Sequence, residues 1–146
     1  AEHGGIVNAM TASWGFIGEL WQKPAAICFI RPQRYTFPLV DGAEHWSLSF
    51  FGGERHSELA YFGANSGRDG DKAAACGMEY AYAEVGGVRV PYLDSAKTVL
   101  ICRKMYADDI KPECFTDDSI IGACYPKRDF HRVFVGEIVK CLVRAD

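Results

Sequence analysis

The sequence lacks most of the signatures that assign a function at sight. No apolar run approaches the ~20 residues that a membrane-crossing helix requires, and the longest, Pro24 to Ile30, has the length of a strand. There is no Cys-x-x-Cys pair, and Cys114, Cys124 and His131 lack the close spacing of zinc ligands. A net charge of −3 gives no general attraction to nucleic acid or acidic lipid. No HExxH, Walker loop or Ser-His-Asp order occurs, and no GxGxxG follows a strand. A nicotinamide cofactor, if used, is therefore not held by a Rossmann unit. Neither membrane, nucleic acid nor metal is expected as a partner.

What remains is an ordinary globular composition, 49% hydrophobic and 24% charged over 146 residues. That length suits a single domain burying about two-thirds of its unfolded surface. Six cysteines are present, of which Cys28, Cys102 and Cys141 lie in apolar runs and read as core residues. A reduced, cytoplasmic chain is the expected setting, with an oxidised chain after leader removal as the alternative.

The pattern along the chain is mainly β with a few short helices. Gly4-Gly5 opens a strand over residues 6–11, and Pro24–Ile30 reads as a strand buried on both faces. Residues 46–51 alternate as a half-buried strand. Further strands are predicted at 80–82, 88–92, 96–105 and 131–143, with Gly86-Gly87 as a hairpin turn. Gly136 inside the last strand predicts a bulge or a close backbone approach. Short helices are expected at 54–62, closed by Gly63, and from Ser66 to Cys76, closed by Gly77. Tyr106–Asp109 reads as a turn, and His3, His45 and His56 as surface or loop residues. Many strands with inserted helices describe a Greek-key β-barrel.

Three separated segments carry the chemistry. Asn8-Ala9-Met10-Thr11-Ala12-Ser13-Trp14 is small and hydroxyl-rich, suited to letting backbone groups approach a flat ring, or else it is a plain strand end. Arg31-Pro32-Gln33-Arg34-Tyr35-Thr36 places two guanidinium groups after a buried-type strand, able to grip phosphate bidentately, or to stand as a solvated basic turn. Ser66-Gly67-Arg68-Asp69-Gly70-Asp71-Lys72 reads as a helix mouth offering unpaired N–H groups and a cation to an anion, or as a capping box with a solvated lysine. Asp69 and Asp71 oppose an anion there unless they are turned away.

These segments, with Phe130-His131-Arg132-Val133-Phe134-Val135-Gly136-Glu137-Ile138, resemble the flavin reductase-like family of FMN-binding split barrels, particularly its flavoredoxin-like branch. The resemblance spans nearly the whole chain and implies one split-barrel domain over residues 1–146. Members of that family usually carry a helix and a strand before the Ala1 position, so the domain is expected to lack both. The resemblance implies FMN as cofactor, a homodimer, and NAD(P)H or a redox protein as partner. It implies ring contacts from Asn8, Met10, Thr11, Ala12, Ser13 and Trp14. Arg31, Gln33, Arg34, Tyr35 and Thr36 would surround the ribityl-phosphate side, and Ser66, Gly67 and Lys72 would hold the phosphate from the helix side. No residue is assigned an acid or base role, because the flavin carries the redox chemistry. His131 borders the pocket or has an ordinary backbone partner. The activity implied is transfer of hydride or electrons from NAD(P)H to flavin or a protein acceptor. The alternatives are a non-enzymatic FMN electron carrier and a flavin-free binding module.

Overall fold

The computed structural model describes residues 1–144. Gly4 and Gly5, at φ +60° and +77°, form the tight turn between strands β1 (Glu2–His3) and β2 (Ile6–Val7). The strand predicted over residues 6–11 stops at Val7. Residues 8–14 continue as irregular chain, tied at its start by Asn8, whose N–H donates to the Ala1 carbonyl at 3.1 Å and whose carbonyl accepts from the Ala1 amino group at 3.0 Å.

Strands β3 (Gly15–Leu20) and β4 (Lys23–Ile30) follow as a hairpin, and helix α1 (Phe37–Gly42) leads into β5 (His45–Phe50). Helix α2 (His56–Ala64) and the single-turn α3 (Lys72–Ala75) precede the hairpin of β6 (Tyr80–Val85) and β7 (Val88–Leu93). Its Gly86-Gly87 turn has φ +57° and +80°, as a two-residue hairpin turn requires. Strands β8 (Thr98–Asp109) and β9 (Arg132–Val143) flank helix α4 (Asp118–Cys124).

The main sheet runs β3-β4-β9-β8-β5, antiparallel throughout. The β6–β7 hairpin does not extend its ladder. Pro91, with no N–H to give, lies beside β5, and side chains make the junction instead. Ser47 Oγ donates to the Pro91 carbonyl at 2.6 Å, and the Leu93 N–H donates to Ser49 Oγ at 3.4 Å. The barrel is thus split along this seam, in the mainly β, split-barrel class that the sequence predicts.

The core between β4, β5, β8 and β9 centres on Trp46, Phe134, Cys28 and Cys102. The close approach predicted at Gly136 is real: a Cβ there would lie 2.5 Å from Trp46 Cη2 and 2.9 Å from Cys102 Cβ. Gly136→Ala is therefore expected to cost about 2 kcal/mol through overpacking. A melting temperature equal to the parent's, measured by calorimetry, would contradict this packing.

Several expectations fail for local reasons. Asp71, not Ser66, caps α3, accepting from the N–H groups of Ala73 and Ala74 at 2.9 and 3.2 Å. Ser66 instead opens a turn, its Oγ accepting from the Arg68 N–H at 3.2 Å. Gly63 lies inside α2, which ends at Ala64. Gly77 does take the left-handed position after α3, at φ +63°. Tyr106–Asp109 is the end of β8, paired with β9, because the bulge beside Met105 restores the ladder. Only one face of β4 is fully buried, Cys141 is exposed, and His45 is buried on β5. The described cysteines are all unpaired. Among the described residues no helix is long and apolar enough to cross a membrane, and no cluster of His, Cys, Asp or Glu could hold a metal.

Candidate functional site

Gly67 has no room for a side chain, and the reason is the site itself. A Cβ there would sit 2.3 Å from Asn8 Oδ1 and 2.7 Å from Tyr35 Cδ1. The three segments singled out in the sequence therefore meet at one point. Asn8 is buried and donates from Nδ2 to Thr36 Oγ1 at 2.8 Å, which fixes the first segment to the second.

Around this junction lies a cavity of about 230 Å³ walled by Asn8, Met10, Gln33, Arg34, Tyr35, Thr36, Asn65, Ser66, Gly67, Arg68 and Lys72. Arg34, Arg68 and Lys72 bring three cations to it, and among the described residues no carboxylate lines it. The two acids that sequence reasoning set against an anion do not reach the wall. Asp71 is spent on capping α3, and Asp69 is not part of the lining. Arg34 is steadied by donating from Nη2 to the Gly63 carbonyl at 2.9 Å. Arg68 lies over the Tyr35 ring at 5.0 Å, a contact that orders an otherwise exposed side chain.

Lys72 is buried to 4% exposure, and its ammonium donates to the carbonyls of Phe62 and Asn65 at 3.1 and 3.2 Å. An ammonium has three donors, so one remains for the cavity. Burial, and then the neighbouring Arg34 charge, lowers its pKa from the usual lysine value. Two cations held together in a desolvated wall raise the local potential, and a phosphate would offset that cost.

A second cavity, of about 280 Å³, adjoins the first through Met10 and Arg34. Residues Met10 to Trp14, Phe29, Arg31, Gly63 and His131 complete it. Its walls are backbone, aromatic faces and small side chains, the make-up of a slot for a flat ring. The Thr11 hydroxyl is already used, donating to the Leu59 carbonyl at 2.5 Å, so its side chain shapes the slot wall. Trp14 stands at the rim, packed against His131 with ring centres 4.7 Å apart.

Arg31 departs from its expected place. It lines the slot and not the cationic cavity, and its guanidinium is ion-paired with Asp129, donates to the Cys124 carbonyl at 2.9 Å and lies over Tyr125. That contact holds the Asp129 carboxyl below the usual carboxylate range. Gln33 also donates to Asp129, at 2.8 Å. A third cavity, of about 320 Å³, runs behind residues 8–12 along β5 and is walled mostly by apolar groups, with no lysine or arginine among the described residues in its lining. It suits neither phosphate nor a charged ligand.

Sequence reasoning missed Arg68, Asn65, Phe29 and Gly63 as wall residues. Arg68 carried a signal, since it sits inside the quoted segment. Phe29, Gly63 and Asn65 carried none, because only tertiary placement brings them in.

The whole chain, residues 1–146, matches the model of the flavin reductase-like domain, and the protein belongs to that family. Membership supports a flavin-binding redox role. Many solved structures share the fold, among them the three that follow. An FMN-binding protein from Thermus thermophilus with bound p-hydroxybenzaldehyde is 24% identical, with a TM-score of 0.69 over 94% of this chain and 64% of that one. A flavoredoxin from Methanosarcina acetivorans is 18% identical, with a TM-score of 0.72 over 99% of this chain and 65% of its own. A flavoredoxin from Desulfovibrio vulgaris is 20% identical, with a TM-score of 0.71 over 98% and 65%. The chain thus spans less than two-thirds of the length of these structures. No curated protein sequence matches it.

Proposed function

We propose that this chain is an FMN-binding oxidoreductase that passes hydride or electrons from NAD(P)H to free flavin or a protein acceptor. The observation that carries this reading is the acid-free cavity of Arg34, Arg68 and Lys72 opening into a flat slot. A phosphate on a ribityl arm attached to a planar ring has that same division of charge and shape. FMN as the cofactor agrees with the FMN-binding protein and flavoredoxins that share the fold.

Bound flavin would supply the redox chemistry, and the protein's residues do the holding. Arg34, Arg68, Lys72 and Ser66 hold the phosphate, and Gly67 admits it to the main chain. Asn8 and Thr36, bonded to each other, support the ribityl passage. The main chain of Met10–Ser13 meets the ring edge, while Trp14 and His131 bound the end open to a second reactant.

The first test is the absorbance spectrum of the purified protein after incubation with FMN and desalting. Retained flavin bands are expected, and a colourless protein would overturn the reading in favour of a flavin-free module. Anaerobic mixing of the loaded protein with NADH or NADPH then tests the donor. Bleaching is the expected result, and its absence with both would leave the electron-carrier alternative.

A homodimer is part of the proposal. β3 uses one edge to pair with β4, and Phe16, Ile17 and Trp21 on that hairpin are 69%, 58% and 57% exposed. An apolar ribbon of this kind is a typical contact surface. Light scattering is expected to give twice the chain mass, and Ile17→Lys is expected to shift it to the monomer. A parent protein that stays monomeric at high concentration would refute the dimer.

A further inference from the structure

One buried pair at the end of the slot carries a hydrogen bond that the scheme above does not use. The Tyr125 hydroxyl lies 3.0 Å from His131 Nδ1, and both residues are buried. Tyr125 sits after α4 on a loop remote in sequence from the ring-binding segments, its ring meeting Trp14 edge-on at 6.1 Å, and it does not line the slot, whereas His131 does. The Nδ1 edge of the imidazole therefore faces away from the slot, toward Tyr125. His131 lines the slot, and its Nε2 has no hydrogen-bond partner among the described residues and is not sealed from solvent.

The direction of the Tyr125–His131 hydrogen bond decides what Nε2 can do. Burial pushes the Tyr125 phenol up, so it keeps its proton, and among the described residues His131 Nδ1 is the one hydrogen-bond partner of that hydroxyl. The phenol O–H is then the group given to Nδ1, which must accept. Burial, and then the nearby Arg31 charge, lowers the His131 pKa, while Asp129 opposes this. Asp129 is itself engaged by Arg31 and Gln33. With Nδ1 accepting and the ring neutral, the imidazole proton resides on Nε2.

The ring is also locked in orientation. Trp14 packs on it with centres 4.7 Å apart, and the Tyr125 ring meets it edge-on at 5.6 Å. Tyr125 is held in turn by Phe130 at 4.6 Å and by the Arg31 guanidinium at 5.4 Å from its ring. Three aromatic neighbours and a cation are a large investment around one hydroxyl and one imidazole.

We propose that Tyr125 is a positioning residue that fixes His131 in the Nε2–H tautomer, so that Nε2–H donates into the slot to a carbonyl oxygen of the flavin ring. This deepens the FMN reading and rests on it. A neutral donor polarises a carbonyl without adding full charge to the slot, where Arg31 is already neutralised by Asp129.

Two readouts test it, one without any flavin. In the flavin-free protein, nitrogen-15 NMR with the His131 signals assigned by loss in His131→Gln is expected to show a protonated Nε2 and an accepting Nδ1. In Tyr125→Phe, which keeps every ring contact, that preference is expected to collapse toward a mixture. In the loaded series, His131→Ala is expected to weaken riboflavin and FMN alike by about fivefold, the size of one neutral hydrogen bond, and Tyr125→Phe by about twofold, the cost of drawing the Nε2–H form from a mixture. His131→Gln, which restores an N–H donor, is expected to bind within about twofold of the parent. An Nδ1–H tautomer in the parent, or an unchanged tautomer in Tyr125→Phe, would overturn the proposal. So would riboflavin affinity unmoved by His131→Ala. A parent that binds neither flavin is a different result, since it defeats the FMN reading itself.

Discussion

Gly67→Ala is expected to cost the protein its FMN while leaving it folded. The added methyl would lie 2.3 Å from Asn8 Oδ1, 2.7 Å from Tyr35 Cδ1 and 2.8 Å from Asn8 Cγ. Asn8 cannot turn aside cheaply, because it is 4% exposed and tied to Thr36 by a 2.8 Å hydrogen bond. Breaking that bond inside the protein strands a polar group, at about 1–3 kcal/mol. The easier response is for the loop to swing outward, since Ser66, Gly67 and Arg68 are partly or wholly exposed and belong to no helix. Outward motion spares the core but carries Ser66 and Arg68 away from the phosphate. Removing two such contacts predicts a loss of roughly 100-fold or more in FMN affinity, about 3 kcal/mol. The melting temperature is expected to fall by only a few degrees. Calorimetric titration of the parent and variant with FMN checks the first figure, and scanning calorimetry the second. Parent-like FMN affinity in the variant would remove the 66–68 loop from the site and break the argument that three segments share one ligand.

The convergence of those segments was legible in the sequence as chemistry but not as geometry. Hydroxyls and small residues at 11–13, two arginines after a strand, and a Ser-Gly-Arg run beside a lysine each name the type of group a phosphorylated ring needs. What the sequence could not convey is which side chains are already engaged. Arg31 reads like Arg34, yet it is consumed by Asp129, a partner nearly a hundred positions away. Thr11 reads as a ligand hydroxyl, yet it closes onto Leu59. Such long-range hydrogen bonds leave no local trace.

The fold shows the same division. Gly86-Gly87 announces its hairpin because a two-residue turn needs left-handed backbone at both positions, whereas Gly4-Gly5, which reads only as the opening of a strand, makes the same kind of turn between β1 and β2. Gly136 announces a close approach because nothing larger fits under Trp46. The start of α3 was misread for a physical reason as well. Ser66 with Asp69 and Asp71 with its following N–H groups are both capping signals, and local pattern does not rank them. Packing does: the Lys72 amino group must reach the carbonyls of Phe62 and Asn65, which sets the helix to start beside it.

Replacing Lys72 by methionine is expected to separate FMN from riboflavin. The thioether keeps most of the length of the buried stem, while the ammonium and its contact over the Phe62 ring are lost. One charge-assisted hydrogen bond to phosphate is worth about 1.5–3 kcal/mol, so FMN should weaken roughly 10- to 100-fold. Riboflavin, which has no phosphate, should change by about threefold at most, the residue of any disturbance from the two carbonyls left without a donor. Equal weakening of both flavins would mean that Lys72 acts only by holding those carbonyls. The sign of the pH dependence gives an independent check. In the free protein burial and Arg34 lower the Lys72 pKa below its ordinary 10.5. A bound phosphate dianion would raise it again, so the complex holds the proton more tightly than the free protein does. FMN affinity should therefore be full below the lowered free-state pKa and decline as pH rises through the interval between the two values. Riboflavin affinity should stay level across that interval, and in Lys72→Met the FMN curve should flatten to match it. An FMN curve that keeps its slope in the variant would move the titrating group elsewhere and take Lys72 out of contact with the phosphate.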